Sequence, residues 1–148
     1  MRILNRCFIS SFAFFSFFII LVSSAPLLAQ ARPLIEMNYY KIQGGHKEEW
    51  LDLYRRNHLP ILLDHKQNGL IEDVRLYEIS AHQLEPGYDY LVMIHLKNWT
   101  LKDEMEKRGE ELTKRLYPDE KKFKEEENRR WELTERHWDE VVRPVKEE

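Results

Sequence analysis

The chain places its one cysteine, Cys7, and six of its seven phenylalanines before residue 32. Whatever folds beyond that point has no thiol to cross-link and one phenyl ring, Phe123, to pack. Its core must therefore come from Leu, Ile and Val together with four Trp and seven Tyr. Small secreted domains commonly lean on disulfides. This one must rely on packing, which a dimer interface would reinforce.

The leading segment itself reads as a secretory signal. Arg2 and Arg6 form a basic start, no acid precedes Glu36, and Cys7 to Val22 is apolar apart from Ser10, Ser11 and Ser16. Ala29-Gln30-Ala31 supplies the small-x-small pattern that a signal peptidase accepts, which predicts a signal peptide over 1–31 cut after Ala31. The alternative, a retained anchor, would want a spanning helix of ~20 residues, and the apolar run is shorter. The expectation is one secreted or periplasmic domain over 32–148, free of the membrane after cleavage.

Charge and missing motifs prune the chemistry. The signal takes two of the 23 basic residues and none of the 26 acids, leaving an excess of five acids. That balance argues against a nucleic-acid partner, which would want a clustered basic face. Without a thiol, cysteine catalysis and cysteine-ligated metals are excluded. Ser80, the one serine after the signal, sits in Ile79-Ser80-Ala81 without the glycines of a hydrolase elbow. No His-Glu-x-x-His, phosphate loop or Gly-x-Gly-x-x-Gly occurs. His58 and His65 stand about two helical turns, ~10 Å, apart and do not share a metal. No metal and no cofactor are expected.

Alternation over Leu34 to Ile42 predicts a strand, closed by a Gly44-Gly45 turn. Apolar and aromatic residues at steps of three or four (Trp50, Tyr54, His58, Ile61, His65) predict a helix from His46 to Asn68. Pro60 should kink or split it, and Gly69 should end it. Two strands, Ile71 to Ile79 and Tyr88 to Leu96, follow, joined through Glu85-Pro86-Gly87. In the second, Tyr88, Tyr90, Val92, Ile94 and Leu96 share one face. Leu91, Met93 and His95 leave the other largely apolar as well, so both faces are expected to be covered. Thr100, with Asp103, reads as the cap of a further helix. Pro118 separates a last, charged helix from Asp119 to about Trp138, with Trp131, Thr134, Trp138 and Val141 as its packing stripe. Its charges (Glu120 with Lys124, Glu125 with Arg129, Glu126 with Arg130) are read as i,i+4 pairs on a solvated face. A short last strand over Val141 to Val145 is expected, with Pro144 weighing against it.

The order strand, helix, strand, strand, helix predicts an α+β, ferredoxin-like βαββα(β) unit with an antiparallel sheet and a long charged C-terminal helix. With Tyr39-Tyr40-Lys41-Ile42 before Gly44-Gly45, His58-Leu59-Pro60, Gly69-Leu70-Ile71 and Tyr88-Asp89-Tyr90, the chain resembles the dimeric α/β-barrel superfamily. That group includes EthD-like, NIPSNAP-type and antibiotic-biosynthesis monooxygenase domains. The resemblance implies a homodimer packed sheet against sheet, and the position of His58 resembles the His-x-Pro element of EthD-like proteins.

Two functions follow from different classes. One is a secreted or periplasmic dimeric binding or accessory protein without chemistry of its own, holding a small apolar or aromatic ligand among Tyr40, Trp50, Tyr54, Tyr90 and Trp99. The other is a cofactor-independent oxygenase or isomerase in which His58 shuttles a proton and Tyr40 or Tyr90 orients an aromatic substrate. The bland alternatives are a core of aromatics and a buried structural histidine.

Overall fold

The computed structural model describes residues 33–80 and 87–145. The expected signal peptide, 1–31, lies outside the described residues. Strand β1 (Leu34–Ile42) leads through the Gly44-Gly45 turn, where Gly45 has φ +84°, into one long helical stretch. The stretch comprises α1 (Lys47–Leu53), a π-helical turn (Tyr54–His58) and α2 (Leu59–Gln67). Then come β2 (Asp73–Glu78), β3 (Tyr90–Leu96), α3 (Trp99–Leu116), α4 (Glu120–Glu132) and β4 (Thr134–Val142). The sheet order is β2-β3-β1-β4, antiparallel throughout, which is the ferredoxin-like arrangement.

Pro60 divides the first helical stretch without breaking it. The Leu59 amide bonds to the Tyr54 carbonyl, one residue further back than in an α-helix. The Tyr117 hydroxyl, with one proton to give, stands 3.0 Å from the Arg56 carbonyl and 2.8 Å from that of Asn57. At the far end Gly69, with φ +73°, donates to Lys66 O while the Leu70 amide donates to His65 O. This is a Schellman stop, which needs the left-handed residue that glycine supplies.

Four expectations are corrected. The last helix stops at Glu132, not near Trp138, and Thr134 to Val142 is a full edge strand paired with β1. The Thr134 hydroxyl accepts from Trp50 Nε1 at 2.9 Å and donates to Arg130 O at 2.9 Å, so it closes the helix instead of continuing it. Helix α3 is capped by Asn98, whose Oδ1 accepts from the Leu101 amide at 3.0 Å, and not by Thr100. Asparagine is the stronger cap, and Thr100 already lies within the helix. Two of the i,i+4 pairs give way to tertiary ones: Arg129 binds Glu49 and Glu126 meets Arg56, tying α4 to the first helical stretch. Finally, Tyr88 precedes β3 and packs edge-on against Tyr39, so it does not share a face with Tyr90.

The core lies between the helices and the face bearing Leu34, Tyr40, Ile42, Tyr90, Val92, Ile94 and Leu96. Leu53, Tyr54, Leu62 and Leu133 fill the space opposite. On β1 the inner face also carries Glu36 and a buried Asn38, whereas Ile35, Met37 and Tyr39 point outward and stay half-buried. Across the sheet they continue into Leu91, Met93 and His95 on β3 and Trp138 on β4. Leu91 is 9% exposed yet lies outside the core. The outer face of β1 is thus more apolar than its inner face. Asp89 fastens the start of β3 by accepting from the Ile42 amide at 2.8 Å and from Lys47 at 2.6 Å. Burial alone would raise its pKa, but that amide and the Lys47 and Lys41 ammoniums hold it below the usual carboxylate value.

Candidate functional site

Four of the five expected aromatic site residues meet on the inner face. Trp50 stacks on Tyr90 at 5.1 Å and on Tyr54 at 5.1 Å, and it leans against Tyr40 at 4.8 Å. Tyr40 comes from β1, Tyr90 from the position opposite it on β3, and Trp50 and Tyr54 from one helical face. Trp99 stands apart at the start of α3, 44% exposed, with the Arg143 guanidinium 5.9 Å from its ring.

His58 lies one turn beyond Tyr54, ring centroids 5.0 Å apart, at the end of the π turn. It keeps some surface open to solvent. It is nevertheless packed deeply enough that burial, aided by the charge of Arg130, pushes its pKa down to about 4. At pH 7 only about one molecule in a thousand would carry the proton. His65 is buried separately at the end of α2, and His95 sits on the outer sheet face. Among the described residues no group of three or more His, Cys, Asp or Glu is placed to hold a metal.

The structure adds residues that the charged segment concealed. Arg130, read as part of a solvated face, is 1% exposed and lies beneath the aromatics. Its Nε and Nη2 donate to Glu127 at 3.1 and 2.8 Å. Its Cζ is 4.7 Å from the Trp131 ring, 5.7 Å from Tyr54 and 5.9 Å from Trp50, so the cation is spread over three π faces. His137, on β4 opposite Tyr40, packs on that ring at 4.3 Å. Its Nε2 is 3.0 Å from Asp139 Oδ1 but off the line of a hydrogen bond. Burial pushes both members of this pair toward their uncharged forms.

Asn38 Nδ2, Tyr54 Oη and Arg130 Nη1 are buried here without a hydrogen-bond partner, and His137 Nε2 has only its contact with Asp139. Asn38 lies on the inner face, two residues from Tyr40 and directly across from Asp139. Burial, the dominant cause, raises the pKa of both Tyr40 and Tyr54, so both stay protonated at neutral pH. The site therefore offers neutral imidazoles, phenol hydroxyls and one charge-compensated guanidinium inside an aromatic shell. Surface grooves of about 300, 340 and 290 Å³ lie elsewhere, against α2–α3, α1–α4 and α3–α4, and none is lined by these residues.

No family model matches the chain, and a comparison with curated proteins finds no relative. Solved structures do share the fold. A NIPSNAP family protein from Agrobacterium tumefaciens superposes with TM-score 0.54 at 17% identity, over 77% of this chain and 87% of that one. An uncharacterized NIPSNAP domain protein from Burkholderia xenovorans gives 0.53 at 17% identity, over 76% and 94%. A second Agrobacterium NIPSNAP protein, described as of unknown function, gives 0.51 at 12% identity, over 78% and 91%. The ferredoxin-like fold and its likeness to NIPSNAP proteins, both expected from the sequence, are what the structure shows.

Proposed function

We propose that the protein is an exported homodimer that binds a flat, largely apolar ligand at the inner aromatic cluster and performs no chemistry on it. The observation that carries this reading is the set of polar atoms left without partners within that aromatic shell. Each unpaired buried group costs about 1–3 kcal/mol, so a site that needs only packing has no use for several. A ligand site combines apolar walls with a few polar groups, and here the stacked rings would have to part to admit one.

The dimer reading is supported by the outward Ile35, Met37, Tyr39, Leu91 and Met93, a face more apolar than a solvated sheet surface presents. Export is supported by the composition of residues 1–31, and exported material should begin at Arg32.

Turnover as an oxygenase or isomerase has weaker support. His58 does stand beside Tyr54, but a base with a pKa of about 4 is far from the neutral working range that general acid–base catalysis favours.

Trp50 reports directly on the proposed seat because it is stacked within it. Titration with naphthalene, followed by tryptophan fluorescence, should give a saturable change. A linear, unsaturable response would overturn the binding reading.

A further inference from the structure

Apart from the inner cluster, we propose that the outer face of the sheet carries a site for a soft monovalent cation, Cu(I) or Ag(I), held by the thioethers of Met37 and Met93 and the imidazole of His95. Of the methionines after Met1, Met105 packs against the core. The other two, Met37 and Met93, are direct cross-strand partners on β1 and β3. Side chains so placed leave the sheet on the same side with Cβ atoms ~5 Å apart. His95 follows Met93 by two residues and shares that face, ~7 Å further along the strand. All three are half-buried, so a cation reaches them without opening the core. The donors come from two strands, and no local motif announces them.

The donor set decides which metal. Thioether sulfur is soft and polarizable and selects Cu(I), and imidazole suits copper as well. No hydrogen bond or ion pair among the described residues engages the His95 ring. The Tyr39 hydroxyl stands 3.6 Å from Met37 Sδ and 3.4 Å from Glu140 Oε2. It has one proton to give and the carboxylate is the stronger acceptor, so the sulfur lone pairs stay open to a metal. Charge on the same row is compatible with a cation: Glu140 lies across from Met37, and Arg75, across from Met93, is paired with Asp73 at 2.7 Å. Asp73, opposite His95, is also held by Lys66 at 2.7 Å, so it is not free to draw in a harder, oxygen-seeking ion.

Anaerobic titration with Cu(I) against bicinchoninate, in a Cys7→Ser background so that no thiol competes, should withdraw one Cu(I) per chain. One copy supplies all three donors, so that ratio holds whether or not a second copy covers the face. Met37→Leu combined with Met93→Leu keeps the volume and apolar character of both positions. It should melt like the parent and lose Cu(I) affinity by about ten-fold or more. With Ag(I), which undergoes no redox cycling, the methyl resonances of Met37 and Met93 should shift and that of Met105 should not. No uptake of Cu(I) overturns the site, and uptake that survives in the double variant does so as well. If the double variant melts early, the Ag(I) shifts on the parent decide: unmoved Met37 and Met93 methyls overturn the assignment. Naphthalene binding beside Trp50 is read separately, so the metal site and the inner-cluster reading stand or fall independently.

Discussion

Tyr117 supplies the donor that Pro60 lacks. The carbonyl that an amide at position 60 would take in an α-helix is that of Arg56, and the Tyr117 hydroxyl stands 3.0 Å from it and 2.8 Å from Asn57 O. Burial pushes that phenol up to about 12, so it remains a donor at any physiological pH. Tyr117→Phe should cost about 1 kcal/mol by chemical denaturation, the usual worth of such a bond. Adding Pro60→Ala, which restores an amide, should recover part of the loss. Additive effects in the double mutant would show that the two residues are not coupled.

His58 should make the protein acid-sensitive. Its folded pKa of about 4 lies below the unfolded value of 6.5, so between those values the unfolded chain takes up a proton that the folded one refuses. Stability attributable to this group is unaffected above pH 6.5 and falls as pH drops toward 4, by about 2–3 kcal/mol. The lowered pKa values of His65 and His137 act in the same direction. His58→Asn isolates its share: between pH 7 and 4.5 it should lose less stability than wild type by about that amount. Parallel pH profiles for the two proteins would contradict the assignment.

Met93 lies in the middle of the outer face, across from Met37 on one side and Arg75 on the other. If that face joins two copies, burying ~800 Å² on each, a lysine there meets its own copy or a dry surface. Met93→Lys should convert the protein to monomer in multi-angle light scattering. A wild-type protein that is already monomeric at high concentration would dismiss the interface.

Thr134 is expected to be a costly position despite its modest size. Its hydroxyl accepts from Trp50 Nε1, from a side chain that is fully buried, and donates to Arg130 O. Thr134→Val keeps the shape and loses both bonds, stranding the indole N–H, and should lower stability by about 2 kcal/mol in a thermal melt. Thr134→Ser should retain most of it. Equal losses in the two variants would place the cost in packing.

β1 was legible in the sequence to its last residue, Leu34 to Ile42, because its alternation is clean and glycines follow it. β4 was not. Trp131, Thr134, Trp138 and Val141 fall at helical steps, and the acids and bases at 135, 136, 139 and 140 mask a period of two on both faces of an edge strand. Its strand state comes from pairing with β1 across most of the chain, which no local window contains. The same misreading hid half of the candidate site. Tyr40, Trp50, Tyr54 and His58 stand out as aromatics on apolar faces, but Arg130 and Glu127 sit in a run where every acid has several possible partners. His137 could not be aimed inward until residue 137 was known to lie in a strand.

That outermost strand also governs how many copies can come together. Glu135, Arg136, Asp139 and Glu140 line the free edge of β4, and charges along an edge discourage another chain from adding to the sheet. Growth from that edge is disfavoured, while the outer face stays available. Two copies meeting face to face across a two-fold axis consume that face entirely, since each patch is its own complement. Association built this way closes on itself at a pair.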